Sequence, residues 1–242
     1  MLPLPPTDHE TGRGMAVLSD GTLVRPLRHG VLRSEDGGKT WGPSINLLPP
    51  ERYFMDFSLV RPLRDGRLVG FAGCWKRDDV ELKTLKPYPD SRLRKTMFIS
   101  SDKGKTWGHP IELMSIKDGV CGESDFCELP NGDLFWVHRC EVYHDGRSAG
   151  AHLQIRPIPG TPEELAEISP LAARMGIDPS SPFYRSYSDR KQSIARKKGD
   201  TFVPEKPELM KGVPHSGYPM VLYTQEGSIL SFQRDGIWST AD

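Results

Sequence analysis

Short apolar runs that each end in a polar turn containing glycine set the rhythm of this 242-residue chain. Runs at residues 15–18, 57–60, 126–129 and 220–223 precede four such turns. The turns read Ser19-Asp20-Gly21-Thr22-Leu23, Arg64-Asp65-Gly66-Arg67-Leu68, Pro130-Asn131-Gly132-Asp133-Leu134 and Gln225-Glu226-Gly227-Ser228-Ile229. Asp-Gly and Asn-Gly are the strongest short-range hairpin signals. A second apolar run comes after each glycine, at residues 23–27, 68–71, 134–137 and 229–232. These are read as the second strands of four successive hairpins.

A longer repeat lies downstream of the first two turns. Ser34-Glu35-Asp36-Gly37-Gly38-Lys39-Thr40-Trp41 recurs as Ser100-Ser101-Asp102-Lys103-Gly104-Lys105-Thr106-Trp107, and both copies read S-x-D-x-G-x-T-W. The Asp accepts backbone N–H bonds across a tight turn and the Gly takes a positive φ. The Trp packs its large apolar face on the neighbouring sheet. The octapeptide is therefore a clip between two strands. Ala195-Arg196-Lys197-Lys198-Gly199-Asp200-Thr201-Phe202 is a decayed copy that keeps Gly199, Thr201 and an aromatic residue. In the fourth unit Thr240-Ala241-Asp242 aligns with Ser34-Glu35-Asp36, so the outer strand there is expected to be missing.

Each unit thus reads as strand, tight turn, strand, third strand, box and fourth strand. That is one four-stranded antiparallel blade, and the expected fold is an all-β propeller of such blades. Residues 1–242 are expected to form one domain, with an inserted helical or loop segment at about 157–190 in the third unit. The insertion carries a helix start at Thr161-Pro162-Glu163-Glu164 and a candidate apolar stripe of Leu165, Ile168, Leu171 and Met175.

The octapeptide resembles the Asp-box of sialidases (neuraminidases) and of the wider bacterial-neuraminidase-repeat (BNR) propellers. The resemblance implies a six-bladed parent fold, so the four visible units, the last incomplete, are expected to be part of a longer chain. It also implies that Asp36 and Asp102 are structural, because the family's boxes sit on outer hairpins away from the active site.

Position within the repeat nominates the chemistry. Seven residues after the turn glycines stand Arg28, Gly73, Arg139 and Arg234; nine before them stand Gly12, Phe57, Glu123 and Tyr218, with Arg13 beside Gly12. The first strand of each propeller blade lines the central channel, so equivalent positions share one ring at one depth. Arg13, Glu123, Arg139, Tyr218 and Arg234 are expected to face one another there, whereas Arg28, in a short hairpin, is read as structural.

The sialidase resemblance gives these residues roles. The family grips the substrate carboxylate with three Arg side chains, attacks with a Tyr whose proton a Glu takes, and uses an Asp as acid/base. Arg forks match carboxylates in bidentate fashion, and a phenol needs a nearby base. By resemblance Tyr218 is the nucleophile and Glu123 its base, while Arg139, with Arg13 or Arg234, holds the carboxylate. Arg185, Arg190 and Arg196 compete for the place of the third Arg. The sequence departs from the pattern in two respects: residues 24–33 contain no Asp where the family's acid/base belongs, Asp56 being a poor substitute, and Arg234 follows Tyr218 whereas the family's third Arg precedes its Tyr.

Composition narrows the classes. Lys plus Arg and Asp plus Glu both total 32, so a net charge of +0 points to neither nucleic acid nor an anionic membrane. Cys74, Cys121, Cys127 and Cys140 form no C-x-x-C pattern and read as buried free thiols. The seven His residues form no ligand pair, so no metal and no cofactor is expected. The N-terminus MLPLPPTDHETGRG has neither a basic nor a long apolar region, which predicts a cytoplasmic protein, or a secreted one whose signal has been removed. The leading function is an exo-acting glycoside hydrolase on terminal sialic acid or another acidic sugar. The alternative is a non-catalytic propeller that binds carbohydrate or protein.

Overall fold

The computed structural model describes residues 14–76, 80–81, 86–87, 94–115, 123–141, 188–210, 219–233 and 236–239. Two compact units divide the chain, Met1–Gly150 with Ser188–Asp242, and Ala151–Tyr187. Everything described here belongs to the first unit; the expected helix lies outside the described residues.

The first sheet holds β1 (Ala16–Val17), β2 (Leu23–Pro26), β3 (Gly30–Ser34) and β4 (Ile45–Asn46) in that order. The second holds β5 (Tyr53–Pro62) and β6 (Leu68–Lys76), followed after a two-stranded ribbon, β7 (Val80–Glu81) with β8 (Lys86–Pro87), by β9 (Arg94–Ser100) and β10 (Ile111–Ser115). The third holds β11 (Ser124–Glu128), β12 (Leu134–Glu141), β13 (Ser188–Lys198) and β14 (Thr201–Pro204), with β15 (Glu208–Leu209) also pairing β13. The fourth holds β16 (Met220–Tyr223), β17 (Ile229–Gln233) and β18 (Gly236–Ser239), three strands among the described residues. All pairings between adjacent strands are antiparallel. The four runs read as second strands are β2, β6, β12 and β17.

The four glycine turns share one geometry. The residue three before each glycine receives its N–H at 2.8–3.3 Å and donates its own N–H to the residue after the glycine at 2.8–2.9 Å. Gly21, Gly66, Gly132 and Gly227 hold φ of 84°, 85°, 86° and 97°. This is a three-residue loop closed by a left-handed glycine, a conformation any Cβ would strain.

The two boxes share the hydrogen bonds that close the clip. Gly38 N–H and Gly104 N–H each donate to the box Ser hydroxyl at 2.8 Å. Asp36 accepts from Thr40 N–H at 2.9 Å and Thr40 Oγ1 at 2.6 Å; Asp102 accepts from Thr106 N–H at 2.8 Å and Thr106 Oγ1 at 2.6 Å. The Thr40 hydroxyl, then its N–H and the Ser34 hydroxyl, hold the Asp36 carboxyl well below the usual range. At Asp102 burial pushes upward, but the Thr106 hydroxyl and N–H and the Ser100 hydroxyl together outweigh it.

A carboxyl whose folded value lies below its unfolded 3.8 stabilises the fold above that pH and loses the effect as pH falls through the folded value. Asp102→Ala is therefore expected to cost about 1–2 kcal/mol near neutral pH, with the gap to the unsubstituted chain closing as pH falls below the carboxyl's unfolded value and through its lowered folded one. Thermal unfolding across that range measures it, and a gap independent of pH contradicts the assignment.

The third copy is not a clip. Gly199-Asp200 joins β13 to β14 as a two-residue turn with Lys198 opposite Thr201. Ala195, fully buried, stands where the box Ser would be, and Phe202, 2% exposed, takes the Trp place. The hairpin keeps the packing and dispenses with the carboxylate.

Consecutive sheets pack face to face. Ala16, Val24 and Val31 meet Met55, Phe57, Leu68, Ala72 and Phe98 between the first and second sheets. Leu59, Val69, Phe71 and Met97 meet Phe126, Leu134, Trp136 and Phe202 between the second and third. Cys127, Phe135 and Val137 meet Val221 between the third and fourth. The first strands β1, β5, β11 and β16 neighbour one another in turn, as inner strands of blades do.

A bulge lets β5 serve two interfaces. Phe57 stands opposite Ala72 and Leu59 opposite Phe71, so Ser58 is the extra residue. One extra residue reverses the faces taken by every later residue of the strand. Phe57 consequently joins the core toward the first sheet and Leu59 the core toward the third.

Candidate functional site

Glu123 directly precedes β11, and Arg139 lies near the end of β12. The ladder of these strands ends with Ser124 opposite His138. One step further, Arg139 N–H donates to Glu123 O at 2.9 Å, making the two residues cross-strand partners on one face. Arg139 Nη1 donates to Glu123 Oε2 at 2.9 Å, and the side chains are 23% and 18% exposed. A pair so far out of water interacts more strongly than one on an open surface. Glu123 and Arg139, singled out by repeat position, are thus brought together. Arg13, Tyr218 and Arg234 lie outside the described residues, although Pro219, next to Tyr218, is buried.

Along the same face of β11 stands Asp125, its side chain 4% exposed. Arg61 of β5 places Nη2 2.9 Å from both carboxylate oxygens. Its Nη1 donates to Phe126 O at 2.6 Å. From the other side Val221 N–H of β16 donates to Asp125 Oδ2 at 2.8 Å. One carboxylate therefore joins the inner strands of three successive sheets. Burial pushes the Asp125 carboxyl up, against the pull of Arg61 and of the Val221 and Phe126 amides. The Cys127 thiol is pushed up to about 12 by burial and by Asp125.

The sequence reading missed Asp125 and Arg61. The available signal was a charged residue within an otherwise apolar inner-strand run, Asp125 before Phe126-Cys127 and Arg61 after Leu59-Val60. Charges at such positions need partners. On the opposite face of β11 and β12, Ser124 Oγ lies 2.5 Å from Nδ1 of the fully buried His138. That pair turns away from Glu123, toward the core shared with the second sheet.

A cavity of about 220 Å³ opens at the other end of these inner strands, lined by Arg61, Leu63, Phe126, Glu128, Val221 and Tyr223. Its charged groups have protein partners: Arg61 as above, and Glu128 with Arg64 N–H at 2.8 Å and Arg64 Nε at 3.3 Å. The ion pair of Glu123 and Arg139 is at the opposite mouth. Among the described residues no group of three or more His, Cys, Asp or Glu is placed to hold a metal ion.

The β2–β3 connection bears on the acid/base position. Leu27 N–H donates to Gly30 O at 2.8 Å and Gly30 N–H to Leu27 O at 3.4 Å, leaving only Arg28 and His29 in the turn. Arg28 O accepts from Phe57 N–H at 3.3 Å, a contact that ties the first sheet to the second.

No family model and no curated protein matches the chain. Solved structures do. A protein of unknown function from Dyadobacter fermentans is similar with a TM-score of 0.53 at 14% identity, over 94% of this chain and 61% of that one. A Hadza microbial sialidase is similar with a TM-score of 0.53 at 15% identity, over 95% and 44%. A GH43 β-xylosidase/α-arabinofuranosidase from a compost microbial metagenome, solved with xylotriose, is similar with a TM-score of 0.52 at 12% identity, over 99% and 75%. The chain thus spans 61% and 44% of the first two. At these identities the likeness is one of fold, and the fold is a β-propeller of four-stranded antiparallel blades.

Proposed function

We propose that this chain contributes the site of a sialidase-like glycoside hydrolase that takes a terminal acidic sugar, sialic acid or a relative, at the mouth where Glu123 and Arg139 stand. The observation that carries this reading is the half-buried pair of those two residues, at the end of an inner strand and 16 positions apart (139 − 123). Arg139, with Arg13 or Arg234, grips the sugar carboxylate. Tyr218 attacks the anomeric carbon while its phenolic proton passes to Glu123. The glycosidic bond breaks as the departing oxygen takes a proton from water, and water then hydrolyses the glycosyl-tyrosine while Glu123 returns its proton to the phenolate oxygen. Tyr218 belongs here by repeat offset, since it and Glu123 both stand nine residues before a turn glycine (227 − 218 and 132 − 123).

One observation favours a second reading. The two-residue β2–β3 turn holds no Asp and no loop to carry one, so the departing oxygen has no acid from that connection. The same pair would equally serve a propeller that binds acidic glycans without cleaving them.

Release of a fluorogenic aglycone from a sialoside, run beside a panel of other acidic glycosides, tests both. Turnover that Tyr218→Phe abolishes, with sugar binding retained, is the expected result. Binding without turnover selects the second reading. Absence of both, or turnover indifferent to Tyr218→Phe, overturns the first.

A further inference from the structure

We propose that Asp125 is a positioning residue, a clamp that holds β16 level with β11 and so sets the strand leading from Tyr218 against Glu123. This rests on the reading of Tyr218 and Glu123 as nucleophile and base. The packing between the third and fourth sheets is apolar: Cys127, Phe135 and Val137 against Val221. Such packing is non-directional, and it sets no level for one strand against the other.

The carboxylate supplies the missing direction. Among the described residues β16 pairs only with β17, so the edge it turns inward has backbone donors that none of their ladders uses. Val221 N–H is one of them, and Asp125 Oδ2 accepts it at 2.8 Å. Arg61 holds the same carboxylate from the second sheet, donates to Phe126 O, the next residue along β11, and reaches Val221 O more distantly, at 3.5 Å. Asp125 is therefore fixed from one side before it fixes Val221 on the other. A carboxylate this buried is retained at a desolvation cost, and conformational specificity is the attested return for such a group.

The clamp is near what it positions. Asp125 is two residues from Glu123 (125 − 123) and Val221 three from Tyr218 (221 − 218). At about 3.3 Å of rise per strand residue the first separation is roughly 7 Å. A slip of one strand by about 1 Å costs up to about a hundredfold in a reaction that needs aligned atoms.

The test compares Asp125→Ala, Asp125→Asn and Arg61→Met. Asp125→Ala removes the acceptor, and the expected result is a kcat lowered about ten- to a hundredfold on the acidic glycoside with KM within about threefold. Asp125→Asn keeps an acceptor oxygen for Val221 N–H and should restore much of the loss; Arg61→Met should fall between. Amide hydrogen exchange at Val221 should quicken in Asp125→Ala. The Tyr218 titration, isolated as the ultraviolet difference between the unsubstituted chain and Tyr218→Phe, should shift in Asp125→Ala and stay in Asp125→Asn. Where Asp125→Ala does not fold, Asp125→Ser takes its place. Unchanged Val221 exchange, an unmoved Tyr218 titration, or kcat and KM that track only the folded fraction overturns the clamp. An unsubstituted chain with no turnover, but with both substrate-free signatures responding, overturns the catalytic reading and leaves the clamp in place.

Discussion

Arg139→Ala is expected to weaken binding of an acidic sugar by about ten- to a hundredfold, and binding of the sugar's methyl ester far less. The physical reason is the kind of bond removed. A charge-assisted hydrogen bond contributes about 1.5–3 kcal/mol, and about 1.4 kcal/mol is a factor of ten in affinity. An ester offers acceptors but no charge, so it has less to lose. The substitution also strips Glu123, at 18% side-chain exposure, of its guanidinium. Glu123 should then be a poorer base for reasons of placement, and kcat should fall together with affinity. Arg139→Lys separates charge from geometry. A lysine keeps the positive charge but not the planar fork, so it should recover part of the affinity and little of the turnover. Calorimetric titration with the acid and its ester, for all three chains, measures the contrast. Equal weakening of acid and ester would show that Arg139 acts on the fold and not on the carboxylate.

The blade plan was legible because it rests on local chemistry. A left-handed residue four positions after the end of a strand demands glycine, and Gly21, Gly66, Gly132 and Gly227 meet that demand at φ of 84–97°. The box clip spans eight residues, so Ser100, Asp102, Gly104 and Thr106 announce themselves within one window. Equal offsets from the turn glycines then brought out Glu123 and Arg139, which are sequence-distant by 16 residues but adjacent across one hairpin. What stayed hidden was everything that crosses between blades. Arg61 and Asp125 are 64 residues apart, and Asp125 and Val221 are 96 apart. No periodicity links such positions, and their meeting depends on how the sheets stack. The third box misled for a related reason. Gly199 and Thr201 survive there because a tight hairpin also needs a left-handed glycine and a β-former, not because a clip persists. The alternation in β5 was readable only up to Ser58, since a bulge changes which face each later residue takes.

That bulge also carries a stability effect. Gly70→Ala is expected to lower the melting temperature by about 5–10 °C. A Cβ built at Gly70 meets Phe57 Cζ at 2.1 Å and Phe57 Cε2 at 2.4 Å, with Leu59 O at 3.1 Å. Gly70 stands opposite Val60, and the Phe57 ring reaches across the bulge to lie over it. The ring cannot give way cheaply. Phe57 is fully buried, packs edge-on against Phe98 with centroids 6.2 Å apart, and against Trp107 at 5.7 Å. Trp107 is the last residue of the second box, so a displaced Phe57 presses on the clip that joins β9 to β10. Overpacking of this kind costs about 1–3 kcal/mol, and each kcal/mol moves the midpoint of a domain this size by about 2–4 °C. Phe57→Leu shortens the side chain that causes the clash. The double variant should therefore be less destabilised than the sum of the two single ones, by about 1 kcal/mol, because the residues share one space. Denaturant unfolding of the four chains closes the cycle. Strict additivity would mean that the Phe57 ring is not what keeps position 70 a glycine.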